Sequence, residues 1–375
     1  MTNRPLYRKV GPWLLAIFSW ASPGGSMAME AQDWLEFQML PDLPNSLGVA
    51  GPFAGVHGDA LLVAGGANFA KPIWETQKSW HDRIYVLSGE GPGRWVDAGR
   101  LPRPIAYGAT VSTPDGIVCM GGNDQESVYR DVFLLAWDHK TQTVTQTPYP
   151  ALPKPCAYGA ATVIGDMIYL AGGQSGLGLD SAMNNFWALD LSQAGTDQFQ
   201  WQTLPGMPVA GRAFNLTLHQ HNGYQDCVYV CSGRREADGQ VEFLKDLWEF
   251  NPKTQSWRRR ADAPRCVMAG AGIEYGQSHL FVLGGASGEF FHQTDQLKDS
   301  HPGFPREALA YHTITDSWTS AGRTPANQVT TTAVRWKDSI VLPSGEVRPR
   351  VRSPNVWKIR VPSRRSGFGF VNYLV

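Results

Sequence analysis

An apolar strand ending in a pair of small residues recurs six times along this chain, and a repeat of that kind constrains the fold more than any single motif. The copies read Leu61-Leu62-Val63-Ala64-Gly65-Gly66, Ile117-Val118-Cys119-Met120-Gly121-Gly122, Ile168-Tyr169-Leu170-Ala171-Gly172-Gly173, Val228-Tyr229-Val230-Cys231-Ser232-Gly233, Leu280-Phe281-Val282-Leu283-Gly284-Gly285 and Ile340-Val341-Leu342-Pro343-Ser344-Gly345. Their spacing is roughly fifty to sixty residues, close to the period of kelch repeats. A unit of this size cannot bury its apolar face alone, so the copies must pack on one another.

Each unit carries the same further parts. A strand of small residues precedes the glycine strand, as in Tyr107-Gly108-Ala109-Thr110-Val111 and Tyr158-Gly159-Ala160-Ala161-Thr162-Val163. An aromatic-rich strand follows it, opened in most units by Asp or Asn, as at Asp82, Asp131, Asn185 and Asp246. A fourth strand is marked by Trp95, Trp201, Trp257 and Trp318; the second unit lacks this tryptophan, and its fourth strand is expected near Val144. Four short strands per repeat, with glycine where backbones crowd, are the parts of a propeller blade. The expected fold is therefore all-β, a six-bladed kelch-type β-propeller. The sixth unit runs out after its third strand at Val361, while Trp34 precedes Leu40-Pro41 at the spacing that separates Trp95 from Leu101-Pro102. Residues 31–40 are accordingly expected to supply the outer strand of the last blade, so that the N-terminal strand closes the ring and removes a sheet edge.

The remainder of the chain bounds what this ring can be. Residues 1–28 place Arg4, Arg8 and Lys9 ahead of an apolar run from Val10 to Ala21 and a small-x-small site at Ser26-Met27-Ala28. That is the pattern of a secretory signal peptide, and it predicts an exported protein with a propeller over 29–361 and an unassigned C-terminal tail over 362–375. The apolar run is too short for a stable membrane span. Basic and acidic side chains balance at 33 each, which argues against a nucleic-acid partner. The five cysteines do not form a secreted disulfide framework at this length; Cys227 and Cys231, four apart on one strand, lie too far apart to bridge.

Antiparallel alternation puts the loops after the glycine pairs and the loops after the proline turns at one end of the ring. Asn68, Asn123, Gln174, Arg234, Glu289 and Glu346 come from the first set, and Arg103, Arg212 and Arg265 from the second. Propeller ligands commonly bind where such loops converge over the channel. On that face the sixth loop differs, because Glu346 directly follows the small pair and Arg348, Arg350 and Arg352 come after it, stiffened by Pro349 and Pro354. One fixed carboxylate among guanidinium groups suits proton transfer on an anionic substrate, although an exposed ion-pair loop would show the same charges. Loops 67–81 and 286–306 are long enough to cover the mouth. His219 and His221 share a strand face without a third ligand, and His292, Asp295, Asp299 and His301 read as a solvated loop, so no metal site is expected. No phosphate-cradling loop or nucleophile elbow is present, since each small pair ends a strand and is not followed by a helix.

The opening strand Gly48-Val49-Ala50-Gly51-Pro52-Phe53-Ala54-Gly55, the stretch Ala64-Gly65-Gly66-Ala67-Asn68-Phe69 and above all Gly345-Glu346-Val347-Arg348-Pro349-Arg350-Val351-Arg352 resemble the N-acetylneuraminate epimerase (sialic acid mutarotase) family. In that family the Gly-Glu…Pro…Arg stretch lies mid-chain, whereas here it lies near the C-terminus, as in a cyclically permuted branch; a closed ring tolerates such a cut. Pro52 stands where the family has glycine. The resemblance implies a periplasmic, cofactor-free isomerase that interconverts the α and β anomers of N-acetylneuraminate, a small sugar acid. It also implies that Glu346 and Arg352 are catalytic, with Arg348 or Arg352 engaging the substrate carboxylate. Asn68 and Arg212 are further candidate substrate contacts, from their place on the face, and a homodimer is compatible with the chain. The boxes of a sialidase, Ser-x-Asp-x-Gly-x-Thr-Trp, are absent, and no Tyr, Cys and His set suggests a copper-radical oxidase. The contrasting expectation is a kelch interaction module that binds a protein on the loop face and catalyses nothing.

Overall fold

The structure is a computed structural model that describes residues 1–2, 34–89 and 93–362. The expected signal peptide, apart from its first two residues, and the tail from residue 363 lie outside that range.

Six four-stranded antiparallel sheets form the molecule, as the repeat predicts. Blade one runs outward from the axis through Phe53–His57, Ala60–Ala64, Arg83–Ser88 and Arg94–Arg100. The inner strands of blades two to six are Ala109–Thr113, Ala160–Ile164, Leu216–His221, Ala271–Tyr275 and Val334–Trp336. Blade six closes as expected: Glu36–Leu40 pairs with Val356–Arg360, with Glu36 opposite Arg360 and Leu40 opposite Val356. The second blade's outer strand, without its tryptophan, is Thr143–Tyr149.

Apolar alternation along the strands places a separate core at each blade interface. Phe53, Leu62 and Ile84 of blade one meet Ile117, Leu135 and Trp137 of blade two. Leu40, Val334 and Trp336 of blade six meet Leu61 and Val63 of blade one, so the closing interface is packed like the others. Each large apolar side chain buried this way contributes roughly 1.5–3 kcal/mol relative to exposure. The tryptophans that mark the outer strands have a second role. The indole N–H of Trp95 donates to Pro41 O at 2.8 Å, that of Trp201 to Pro150 O at 2.8 Å and that of Trp257 to Pro205 O at 2.7 Å, each tying one blade to the proline turn before it.

The small-residue pair is required because the backbone turns left-handed directly against the next blade. Gly121 and Gly122 have φ of 62° and 104°, and a Cβ on Gly121 would sit 2.0 Å from Cys156 O. Serine replaces the first glycine in blades four and six, at φ 61° for Ser232 and 57° for Ser344. Its hydroxyl offsets the strain by bonding the neighbouring blade: Ser232 Oγ accepts from Val267 N at 2.9 Å, and Ser344 Oγ accepts from Val49 N at 2.8 Å. All five cysteines are buried and unbridged.

Candidate active site

The floor of the site is made of backbone. At the entry to each inner strand one residue has positive φ: Gly51, Tyr107, Tyr158, Phe214, Ala269 and Thr330. The N–H of each donates to the carbonyl of the equivalent residue in the preceding blade at 2.6–2.8 Å, so the six form a closed ring of hydrogen bonds around the axis. A non-glycine residue in this conformation costs roughly 1–2 kcal/mol, which the ring's bonds and blade packing must offset. The conformation carries the aromatic side chains of Tyr107, Tyr158 and Phe214 to the mouth, where their rings follow one another at centroid distances of 4.7 and 4.4 Å. Ring residues line both the mouth cavity and the central channel beneath it.

Glu346 stands beside this floor on a two-stranded hairpin, Glu346–Arg348 against Val351–Arg352, and its register partner is Arg352. Its Oε1 accepts from Arg352 Nη1 at 3.0 Å and from the backbone N–H of Arg350 at 2.9 Å. The Arg352 side chain, only 3% exposed, also reaches Ala67 O at 3.3 Å and the Tyr107 hydroxyl at 3.4 Å. Burial works against the Arg352 charge, but Glu346 and Tyr107 outweigh it and raise its pKa. A carboxylate held this way is fixed in position and keeps one oxygen, Oε2, without a protein donor among the described residues.

The two long loops line the mouth, as their length suggested. Ala67–Phe69 and Lys78–Trp80 pair as a hairpin that contributes Phe69 and Lys78, and the segment from Ser287 to Phe304 contributes Phe290, Phe291 and His301. Between them lies a cavity of about 340 Å³. Four cationic side chains line it, Lys78, Arg234, Arg350 and Arg352, against the carboxylates of Glu289 and Glu346. That excess, together with aromatic walls, suits an anionic ligand with apolar faces. Arg350 is spread over Phe69 and Trp74 at 4.2 and 5.3 Å and donates to Thr76 O at 2.6 Å. Burial lowers the His301 pKa, and Arg348 lowers it further.

Among the residues expected from sequence, Glu346 and Arg352 are brought together in the cavity, and three others are not. Arg212 faces inward instead: it is 1% exposed and binds Asp246 through both carboxylate oxygens at 2.7 and 2.8 Å. Its place after a proline turn directs it between blades, where it also donates to Ser232 O. Asn68 is buried as well, donating to Gly48 O at 2.8 Å and contacting His81 Nε2 at 2.9 Å, so it holds the loop's base. Arg348, past a register shift in the hairpin, pairs with Asp299 at 2.8 Å, clasping the sixth loop to the segment that also receives the Trp74 indole N–H. Among the described residues no three His, Cys, Asp or Glu side chains converge as a metal site. His219 instead contacts Thr162 Oγ1, and His221 accepts from Gly223 N.

Sequence reading gave Arg234 no more weight than its neighbours on the face, and a signal for it was present. The residue after each small pair bridges the entry to its inner strand in every blade, and these residues are Ala67, Asn123, Gln174, Arg234, Ala286 and Glu346. Only two of the six ionise, and both follow Ser-Gly where the others follow Gly-Gly.

The protein is thus a six-bladed propeller that carries at its mouth a carboxylate paired with an arginine and a surplus of cationic side chains. The chain belongs to the N-acetylneuraminate epimerase family, whose model matches residues 22–144 and 149–301. It is 42% identical over 129 residues to the N-acetylneuraminate epimerase of Brucella suis, covering 30% of this chain and 32% of that protein. To the N-acetylneuraminate epimerase of Yersinia enterocolitica it is 36% identical over 121 residues, 28% of this chain and 30% of the relative. The alignments thus span about a third of the length of these curated relatives. The solved structure of YjhT superposes with a TM-score of 0.64 over 87% of this chain and 98% of that one, at 15% identity, a likeness of fold. The hairpin of Glu346 and Arg352 lies beyond the residues the family model matches.

Proposed function

We propose that this protein is an isomerase that interconverts the α and β anomers of N-acetylneuraminate, with Glu346 as the proton carrier. The observation that supports this most is Glu346 itself, a carboxylate fixed by Arg352 and the Arg350 N–H inside a cavity with excess positive charge. Glu346 takes the proton of the anomeric hydroxyl. The C2–O6 bond then breaks, its electron pair goes to the ring oxygen, and C2 becomes a ketone. The proton returns from Glu346 to that ring oxygen, which one carboxylate can reach because both oxygens leave the same carbon. After the C2 carbonyl turns over its other face, the same steps in reverse close the ring as the second anomer. Arg352 holds the carboxylate and balances its charge while the proton is exchanged. Atoms and protons balance without any co-reactant.

The reading includes export to the periplasm, supported by the composition of residues 1–28, and leaves a homodimer to be tested by sedimentation. The deciding experiment follows anomer exchange of freshly released α-N-acetylneuraminate by NMR. Wild type is expected to exceed the spontaneous rate, and Glu346→Gln, isosteric but unable to accept the proton, to lose roughly 10²–10⁴-fold of that acceleration. Wild type at the spontaneous rate would overturn the activity; a fully active Glu346→Gln would overturn the residue.

A further inference from the structure

We infer that Arg234 is the specificity-determining residue of this site and receives the substrate's carboxylate, an assignment that rests on the mutarotase reading above. Arg234 occupies in blade four the position that Glu346 occupies in blade six, directly after Ser-Gly and bridged to the entry of the inner strand, Ala213↔Arg234 matching Val329↔Glu346. Its guanidinium lies between two rings, 4.3 Å from the centroid of Phe214 and 5.1 Å from that of Phe291. It thereby extends the stack of Tyr107, Tyr158 and Phe214 along the cavity floor. Sandwiching by aromatics fixes the plane of a guanidinium and leaves its N–H edge to be used by something else.

Among the described residues nothing uses that edge. Among the described residues the Arg234 side chain has no carboxylate partner and no hydrogen-bond acceptor, and its Nε is buried without one. The other arginines near the mouth are tied to the protein: Arg352 to Glu346, Ala67 O and Tyr107, Arg348 to Asp299, and Arg350 through one Nη to Thr76 O, although the Arg350 Nε, like that of Arg234, is buried without an acceptor among the described residues. Lys78 lies 5.0 Å over the Tyr107 ring and presents a single point charge, not a planar fork. A partly buried guanidinium without an anion is costly, and burial does lower the Arg234 pKa, with Tyr158 and Glu346 opposing. A bound carboxylate removes that cost by accepting two parallel N–H bonds. Substrate chemistry points the same way. In a 2-keto sugar acid the carboxylate and the anomeric hydroxyl leave one carbon, so the group that holds the first must neighbour the group that deprotonates the second. Arg234 and Glu346 line the same cavity.

The test compares N-acetylneuraminate with its methyl ester, in which the carboxylate is blocked, by calorimetric binding and by NMR anomer exchange. Wild type is expected to bind the acid more tightly than the ester. In Arg234→Met, acid binding should weaken by roughly 10- to 100-fold and the preference for acid over ester should collapse, the loss appearing in KM more than in kcat. Arg234→Lys, which keeps the charge without the fork, should fall between the two and serves if the methionine variant does not fold. An acid preference that survives in Arg234→Met, an acid preference lost instead in Lys78→Met, or no binding of the acid by wild type would each overturn the assignment. Acid binding that depends on Arg234 without any wild-type acceleration would keep the assignment and overturn the mutarotase activity.

Discussion

Glu346 and Arg352 are register partners across a two-stranded hairpin, and their side chains meet at 3.0 Å on its cavity face. The spacing of six residues is thus a consequence of the turn. Pairing fixes the carboxylate in position, and the arginine offsets the cost of holding its charge away from water.

Removing Arg352 should therefore harm both stability and catalysis. Arg352→Met leaves Glu346 without its counter-ion and should cost about 3 kcal/mol, the lower end for a buried pair because Glu346 keeps some exposure. Adding Glu346→Gln should restore part of that stability and none of the activity. Urea denaturation of the two single variants and the double variant gives the coupling energy; a coupling near zero would mean that the ion pair is incidental.

Arg212 supplies the contrasting case. Its bidentate contact with Asp246 is buried, and the arginine outweighs burial to lower the Asp246 pKa below its ordinary 3.8. Arg212→Met should destabilise by about 3–5 kcal/mol while leaving the KM of the folded fraction unchanged. The same pair adds an acid limb. The folded pKa is depressed, so its stabilisation is present above pH 3.8 and is lost as pH falls through the folded value. A raised KM with normal stability would return Arg212 to the substrate.

The outer-strand tryptophans should behave as repeated fasteners. Trp95→Phe, Trp201→Phe and Trp257→Phe each delete an indole N–H bond to a preceding proline turn and leave most of the ring's packing. Each should cost about 1 kcal/mol, and the costs should add because the sites lie in different blades without shared partners. Chemical denaturation of the singles and the triple checks this; a triple variant as stable as one single would show that these bonds are not independent.

Blade number, ring closure and the Glu346 loop were legible because a repeat exposes its own period and its own departures. Trp34 predicted the closing strand Glu36–Leu40 from spacing alone. Arg212 misled because loop order tells which end of the ring a residue occupies, not whether its side chain turns to the axis or between blades. That direction is set by Asp246, 34 residues later on the third strand of the same blade. Regular alternation would put Arg348 on the face of Glu346 and Arg352, but the hairpin's register shifts between Glu346 and Arg348, so the two arginines find different partners, which charge counting could not foresee. Arg234 needed the comparison of equivalent positions, and that comparison required the six bridges to be seen.

Acid sensitivity should also come from histidines held neutral by burial. The His279 pKa is lowered first by burial and then by His312, whose ring lies 4.7 Å away, and the Trp34 ring that helps close the propeller packs on it at 5.6 Å. His81 is likewise lowered by burial, with Asp82 opposing. Both folded values lie below the ordinary 6.5, so the unfolded chain takes up protons first as the medium is acidified. Stability from these groups is present above pH 6.5 and is lost as pH falls toward the folded values. His279→Phe keeps an aromatic ring against Trp34 and His312 and removes the titrating group. Its Tm should therefore decline less than that of wild type in thermal scans stepped from about pH 7 to about pH 5. A variant with the wild-type slope would show that the propeller closure does not sense this histidine's charge.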